Sequence, residues 1–320
     1  MNPNVLGGSS SAIEAADDVL RKKGRSFYWA RQLLNEQHAV RATRLYSLCR
    51  YLDDLADEAA SVERSQAILK EIRCSIFSGQ SADPVIRDGL LLMYECGINP
   101  RILGELIDGV GSDLTEVAMA DLDQLLRYCY QVAGTVGSMM CNVLGVKNPS
   151  ALPHAIDLGI AMQLTNICRD VREDALAGRR YLPATLLGDL QPKALEYPAV
   201  EIQPQLQQCL RHLLEIADSY YRSGESGMSY LPLGARAGIL TAARLYEAIG
   251  TGIKARQYKY WQGRVVVTPF HKAALTAKVL LTAPVARSFW RPTRRHDVTL
   301  HRSLSGLIAI DRKSGGIHEY

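Results

Sequence analysis

The sequence predicts an all-α protein, and three observations carry that expectation. Apolar residues recur at three- and four-residue spacing along most of the chain. Capping residues and glycines interrupt that pattern at helix-length intervals. Only "GRVVVTPF", 263–270, reads as extended, and Pro269 stops it early. The 320 residues are 47% hydrophobic and 22% charged, enough to bury one sizeable core. No low-complexity linker divides them. Residues 1–320 are therefore expected to form a single domain of about eight to ten helices. A helical body is expected over roughly 15–268, followed by a basic C-terminal extension over 269–320.

The helices follow in order. "SAIEAADDVLRKKG", 11–24, has capping serines before it and Gly24 at its end. The stretch 35–60 begins at Asn35, a suitable N-cap, and keeps its apolar residues on one face. Ser61 opens an amphipathic helix over 61–77. Further helical patterns cover 99–114, 121–145, 150–178, 202–228 and 234–261. "AALTAKVLLTAPVARSFW", 273–290, is apolar with flanking Lys and Arg. It reads as a helix docked on the body, a membrane-surface contact, or both.

Composition narrows the function classes. Seven cysteines, at 49, 74, 96, 129, 141, 168 and 209, stand singly with no CxxC pair. A disulfide framework or a structural zinc site is not expected. The thiols read as small buried hydrophobes of a cytoplasmic protein. The first 20 residues lack a basic segment followed by an apolar one, so no signal peptide is read there. The uncharged run 128–146 approaches the length of a membrane span. Its two Tyr, Gln, Thr, Ser and Asn point instead to a helix buried inside the protein. The net charge of +4 conceals an asymmetry. Between Glu247 and Asp297 there is no acid and there are ten Lys/Arg, which leaves 27 Lys/Arg against 33 acids elsewhere. An acidic body with a basic C-terminal region suggests an anionic surface partner, with no nucleic acid expected.

Two carboxylate patches carry the chemistry. "CRYLDDLADEAA", 49–60, gathers Asp53, Asp54, Asp57 and Glu58. Like charges one turn apart on a helix cost about 0.2–0.5 kcal/mol per pair. In "QLTNICRDVREDALAGRRYLP", 163–183, Asp170 and Asp174 stand at i, i+4. Gln163, Asn166 and Asp170 share one stripe, bordered by Arg169. A single acidic turn is usually a solvated face; two, flanked by Gln, Asn, Arg and Tyr, are poorly explained that way. Such pairs repel unless a cation sits between them. Hard oxygen ligands at this density favour magnesium, which binds through a few carboxylates plus substrate phosphates. Arg50 lies three residues before Asp53, and Tyr46 four before Arg50. A guanidinium beside metal carboxylates suits a diphosphate leaving group.

"GRSFYWARQLL", "LYSLCRYLDDLADE", "YCYQVAGTVG" and "QLTNICRDVREDALAGRRYLP" resemble, in order and separation, four characteristic segments of the squalene/phytoene synthase family. The resemblance covers roughly 15–268 and implies a class I isoprenoid synthase fold, a helical bundle around a central apolar cavity. It implies joining of two prenyl diphosphates head to head through a cyclopropylcarbinyl diphosphate. It also implies Mg2+, or Mn2+ in its place, held by Asp53, Asp57, Asn166, Asp170 and Asp174. Tyr46, Arg50, Gln163, Arg169 and Tyr246 would contact diphosphate or intermediate, and the turn Lys23, Gly24, Arg25, Ser26 would contribute. The substrate set extends to Phe27, Tyr128, Val132, Gly137 and Arg264. Family members often carry other residues at the Lys23–Ser26 turn, but Lys23 and Arg25 keep it basic.

Carbocations need a dry, apolar, shaped wall. The 128–146 run suits it, its small residues leaving room for prenyl chains. Tyr128 reads equally as a cation-facing ring or a core tyrosine. Phytoene formation from two geranylgeranyl diphosphates, without NADPH, is the first reading. Squalene or dehydrosqualene formation from farnesyl diphosphate is the second. A head-to-tail chain-elongating synthase fits "DDLAD" but not "DVRED" followed by "YLP". A catalytically silent scaffold would be expected to lack the aspartates. A greasy product implies peripheral association with the inner membrane surface and hand-over to downstream carotenoid enzymes.

Overall fold

The computed structural model describes residues 10–57 and 61–307, apart from the side chains of residues 10–12 and 57. Sixteen α-helices run through the described residues. They are α1 Ser10–Lys23, α2 Arg25–Arg31, α3 Glu36–Asp57, α4 Val62–Ser78, α5 Pro84–Cys96, α6 Pro100–Ser112, α7 Leu122–Cys129 and α8 Thr135–Val143. There follow α9 Ala151–Arg169, α10 Val171–Leu176, α11 Ala184–Leu187, α12 Pro192–Glu196, α13 Gln203–Ser226, α14 Leu233–Ala255, α15 Pro269–Thr282 and α16 Arg287–Trp290. Among the described residues the one β-type contact is an isolated parallel bridge between Ala118 and Arg180.

The caps explain most boundaries. Asn35 accepts from the His38 amide, as its position before α3 predicts. Ser61 caps α4, and Gly79 ends it in the left-handed region at φ 70°. Asp83 accepts from two amides in front of Pro84, and so begins α5, a helix absent from the expected set. Its Asp-Pro start and its Gly97 stop were signals in plain sight. Residues 263–268 adopt no paired strand, and Pro269 starts α15 behind a Thr268 cap.

The helices outnumber the expected eight to ten because α2, α5, α11 and α12 lie outside the expected stretches and because long apolar patterns are locally broken. The pattern 121–145 is interrupted by a π-helical turn, Tyr130–Gly134, between α7 and α8. The pattern 150–178 breaks at Asp170, which leaves α-helical geometry at φ −103°, ψ 15°. The ladder still passes through this break: the Asp170 amide donates to Asn166 O (2.9 Å) and the Asp174 amide to Asp170 O (2.8 Å). The stripe from Gln163 to Asp174 survives it.

α9 is buried around most of its circumference, as its run of apolar residues demands. α8 packs against it without side chains between. A Cβ on Gly137 would stand 2.1 Å from the Ala155 carbonyl oxygen, and one on Gly159 2.2 Å from that of Ala133. One apolar cluster gathers α3–α6 and α8 around Leu48, Leu92 and Leu106; a larger one surrounds α9, α13 and α14. α15 and α16 dock on α14 through Val279, Ala283 and Phe289 against Leu240. The Trp29 indole donates to Thr276 (2.9 Å), which ties α15 to α2.

Candidate active site

A cavity of about 610 Å3 opens between α2, α3, the π turn, α8, α9 and α14. It brings together Lys23, Phe27, Tyr46, Arg50, Asp53, Tyr128, Val132, Gly137, Gln163, Asn166, Arg169, Asp170, Asp174, Tyr246 and Arg264. Most of the site residues read from sequence therefore share one space. Asp57 closes α3, but its carboxylate lies outside the described residues. Gly24, Arg25 and Ser26 do not line the cavity. Gly24 is buried beneath the Tyr46 ring, where a Cβ would stand 2.7 Å from Cζ. Arg25 points to solvent. The turn thus shapes the site by letting α1 and α2 approach Tyr46.

The polar groups concentrate at one end. Asp54 is paired with two cations, the Arg50 guanidinium and Lys23 Nζ (3.3 Å). Arg50 keeps its Nε buried with no hydrogen-bond partner. Asp170 holds two guanidiniums: Arg169 Nε donates to it at 2.7 Å, and Arg264 at 2.7 and 3.0 Å. Burial alone would push the Asp170 carboxyl up, but Arg169 and Arg264 outweigh it and hold it below the usual range. Asp174 shows the opposite balance. Burial drives its carboxyl well up, Asp170 and Asp113 add to that, and Arg179 opposes.

These donors fit a hard dication. Asn166 Oδ1 is buried without a hydrogen-bond partner, while its amide nitrogen reaches Gln163 at 3.4 Å. Asp174 is a buried carboxyl crowded by other acids. Oxygen donors left in this state are what Mg2+ satisfies. Asp170 joins such a set only as a guanidinium lets go of it.

Aromatic rings form the next layer. The Phe27 centroid lies 5.2 Å from Tyr246 and 5.9 Å from Tyr46. Tyr128 and Tyr181 stack at 4.9 Å, and both hydroxyls donate to Asp113, at 2.8 and 2.7 Å. Sequence reading missed Asp113, Arg179 and Tyr181 as cavity residues. The backbone of "RRYLP" explains the placement: Arg180 N donates to Val117 O and Met119 N to Arg180 O. Arg180 itself is buried, its guanidinium donating to Met119 O, Leu182 O and Asp189. Gly137 reaches the cavity, but its missing side chain makes room for the α9 backbone rather than for a ligand.

Beyond the rings the wall is largely apolar, with Val136, Met140, Leu158 and Leu231 beside the buried His154. Along α9 the lining runs from Asp170 and Asn166 down to Ala155 and Ala151. From Asn166 to Ala151 that is about 22 Å of helix at about 1.5 Å per residue. A long apolar slot with a charged mouth takes an amphiphile with an anionic head. The 128–146 run contributes wall, as its composition suggested, and no helix among the described residues is long and apolar enough to cross a membrane.

A family model described as squalene/phytoene synthase matches residues 20–271. A phytoene synthase of Pseudescherichia vulneris is 32% identical over 85% of this chain and 91% of its own length. A 15-cis-phytoene synthase of Pantoea ananas is 30% identical, covering 89% and 96%. A phytoene synthase of Cereibacter sphaeroides is 31% identical, covering 95% and 96%. Among solved structures, a ligand complex of a dehydrosqualene synthase superposes with a TM-score of 0.74 at 25% identity, covering 86% of this chain and 98% of that one. A squalene synthase from Alicyclobacillus acidocaldarius gives 0.68 at 20% identity, covering 78% and 95%.

Proposed function

The chain belongs to the squalene/phytoene synthase family, and on that premise we propose that it joins two geranylgeranyl diphosphates head to head to form phytoene. The observation that carries this reading is the long, largely apolar slot that Asp53 of the first patch and Asp170 and Asp174 of the second line together with Arg50, Arg169 and Arg264. Relatives named phytoene synthase, matched over nearly their whole length, support it.

Asp53, Asp57, Asn166, Asp170 and Asp174 would hold Mg2+ or Mn2+ at the mouth. The metal, when bound, draws negative charge from the diphosphate. The protein's own groups do the remainder. Arg50, with an uncommitted buried Nε, offers a donor to a diphosphate oxygen. Lys23, Arg169, Arg264 and Gln163 surround the same end, so the leaving charge develops among fixed cations and dipoles. Arg169 and Arg264 are spare for that role once Asp170 turns to another cation. Phe27, Tyr46 and Tyr246, which line the cavity and pack ring to ring, would stabilise the allyl cation.

The second substrate's double bond attacks that cation, and a cyclopropylcarbinyl diphosphate results. Loss of its diphosphate, rearrangement and proton loss complete phytoene. Val132, Val136, Met140 and Leu158 keep water from the cations. Tyr128 and Tyr181 hold a stacked pair in the wall, oriented by Asp113.

The likeness to a dehydrosqualene synthase structure favours a second reading, the same coupling on farnesyl diphosphate. Rates with the two substrates, measured with Mg2+ and with or without NADPH, separate them. The first reading expects preference for geranylgeranyl diphosphate and indifference to NADPH. Turnover of farnesyl diphosphate alone would install the second. Turnover of neither would leave a scaffold.

Residues 269–320 are proposed as the basic membrane-facing extension of one domain whose body spans 15–268. Phe270, Leu281, Val285 and Trp290 are exposed there, beside exposed Lys278, Arg287 and Arg291. Such a face suits the inner membrane surface, where a hydrocarbon product would leave for downstream carotenoid enzymes.

A further inference from the structure

Away from the cavity's charged end, the C-terminal segment returns to α9 and closes a buried polar cluster. Asp157, on α9, is fully buried. His296 Nε2 lies 2.9 Å from one of its carboxylate oxygens, and His301 Nε2 lies 2.7 Å from the other. The three ligating atoms stand within 4.8 Å of one another. We propose that Asp157, His296 and His301 form a binding site for a zinc-class dication, which staples the C-terminal segment to the helix that lines the cavity.

The residue types and spacing support this. A histidine pair of the form H-x4-H falls within the usual zinc-ligand spacing, and a carboxylate is a common third ligand. Zinc–ligand bonds of about 2.0–2.2 Å put neighbouring ligand atoms about 3.3 Å apart. The imidazole–carboxylate separations are therefore within about half an ångström of what a bound ion needs. Small ring rotations open that space. Each neutral imidazole then presents its Nε2 lone pair to the ion, its proton residing on Nδ1.

The ligands are also braced. Ser223 Oγ donates to Asp157, which fixes the carboxylate from behind. Tyr220 donates to Leu300 O (2.6 Å), and Arg127 to Ser303 O and Ser305 O (both 3.0 Å). These bonds hold the 3-10 turn that presents His301. Both imidazoles keep 11% of their side-chain surface exposed, so an ion and a completing water have access from solvent. The cysteine pattern, which speaks against a thiolate zinc site, is silent about a histidine–carboxylate one.

The test uses the full chain, stripped with a chelator, dialysed against Zn2+ and assayed for bound metal. One equivalent per chain is expected, with loss of that equivalent in His296→Gln/His301→Gln and its retention in Asp53→Asn/Asp170→Asn. No stoichiometric uptake, or uptake unchanged in the histidine double variant, overturns the site. X-ray absorption on the zinc-loaded wild type needs no variant. Imidazole scattering is expected, and an all-oxygen shell overturns the proposal. Neither readout depends on the coupling reaction.

Discussion

Asp53→Asn and Asp170→Asn each exchange one carboxylate oxygen for an amide at nearly constant volume. Turnover of prenyl diphosphate is expected to fall by about 10²–10³-fold or more, with far-UV circular dichroism unchanged; unchanged rates contradict the metal assignment. Asp170 makes a separate prediction for stability. Its pKa in the folded chain lies below that of the unfolded chain. Its contribution is therefore complete above the ordinary carboxylate range and lost as pH falls through the depressed value. The metal-free Asp170→Asn chain should lose less Tm than wild type over that acidic window. Equal losses would show that the Arg169–Asp170–Arg264 cluster contributes nothing. That Asp53, Arg50, Asn166, Asp170 and Asp174 line one cavity was legible in the sequence, because helical spacing places them on two stripes and the family resemblance brings the two stripes together. Asp113, Tyr181 and Arg179 were not, because they reach the cavity through a tertiary contact between 117–119 and 180.

α9 and its neighbours set both packing and slot length. Gly137→Ala places a methyl group against the Ala155 carbonyl, and overpacking of this kind costs about 1–3 kcal/mol. A measured Tm unchanged by this substitution would refute the close α8–α9 contact. Ala155 lies far from the aspartates along α9 and lines the cavity. Ala155→Phe is expected to depress turnover of geranylgeranyl diphosphate more than of farnesyl diphosphate, read as the ratio of kcat/KM values; an unaltered ratio means that this end does not measure chain length. The long helices other than α5 were readable from periodicity, but helix continuity was not. The π turn at Tyr130–Gly134 and the break at Asp170 leave the apolar pattern intact and change only the backbone between its repeats. Gly137 was read as leaving space for substrate, since a glycine's neighbour is invisible in one dimension.

On the scale of the whole molecule, an acidic body carries a basic, partly apolar C-terminal face. Neutralising Arg291, Arg294 and Arg295 should weaken binding to anionic vesicles by about 100-fold, at about 1 kcal/mol per charge near the surface. Binding indifferent to both this change and salt would remove the membrane role. Head-to-head coupling itself can be observed by incubating the wild-type chain with labelled geranylgeranyl diphosphate and Mg2+, without NADPH, and counting products. Phytoene with two diphosphates released per hydrocarbon is the expected result; geranylgeranyl diphosphate recovered unchanged would contradict it.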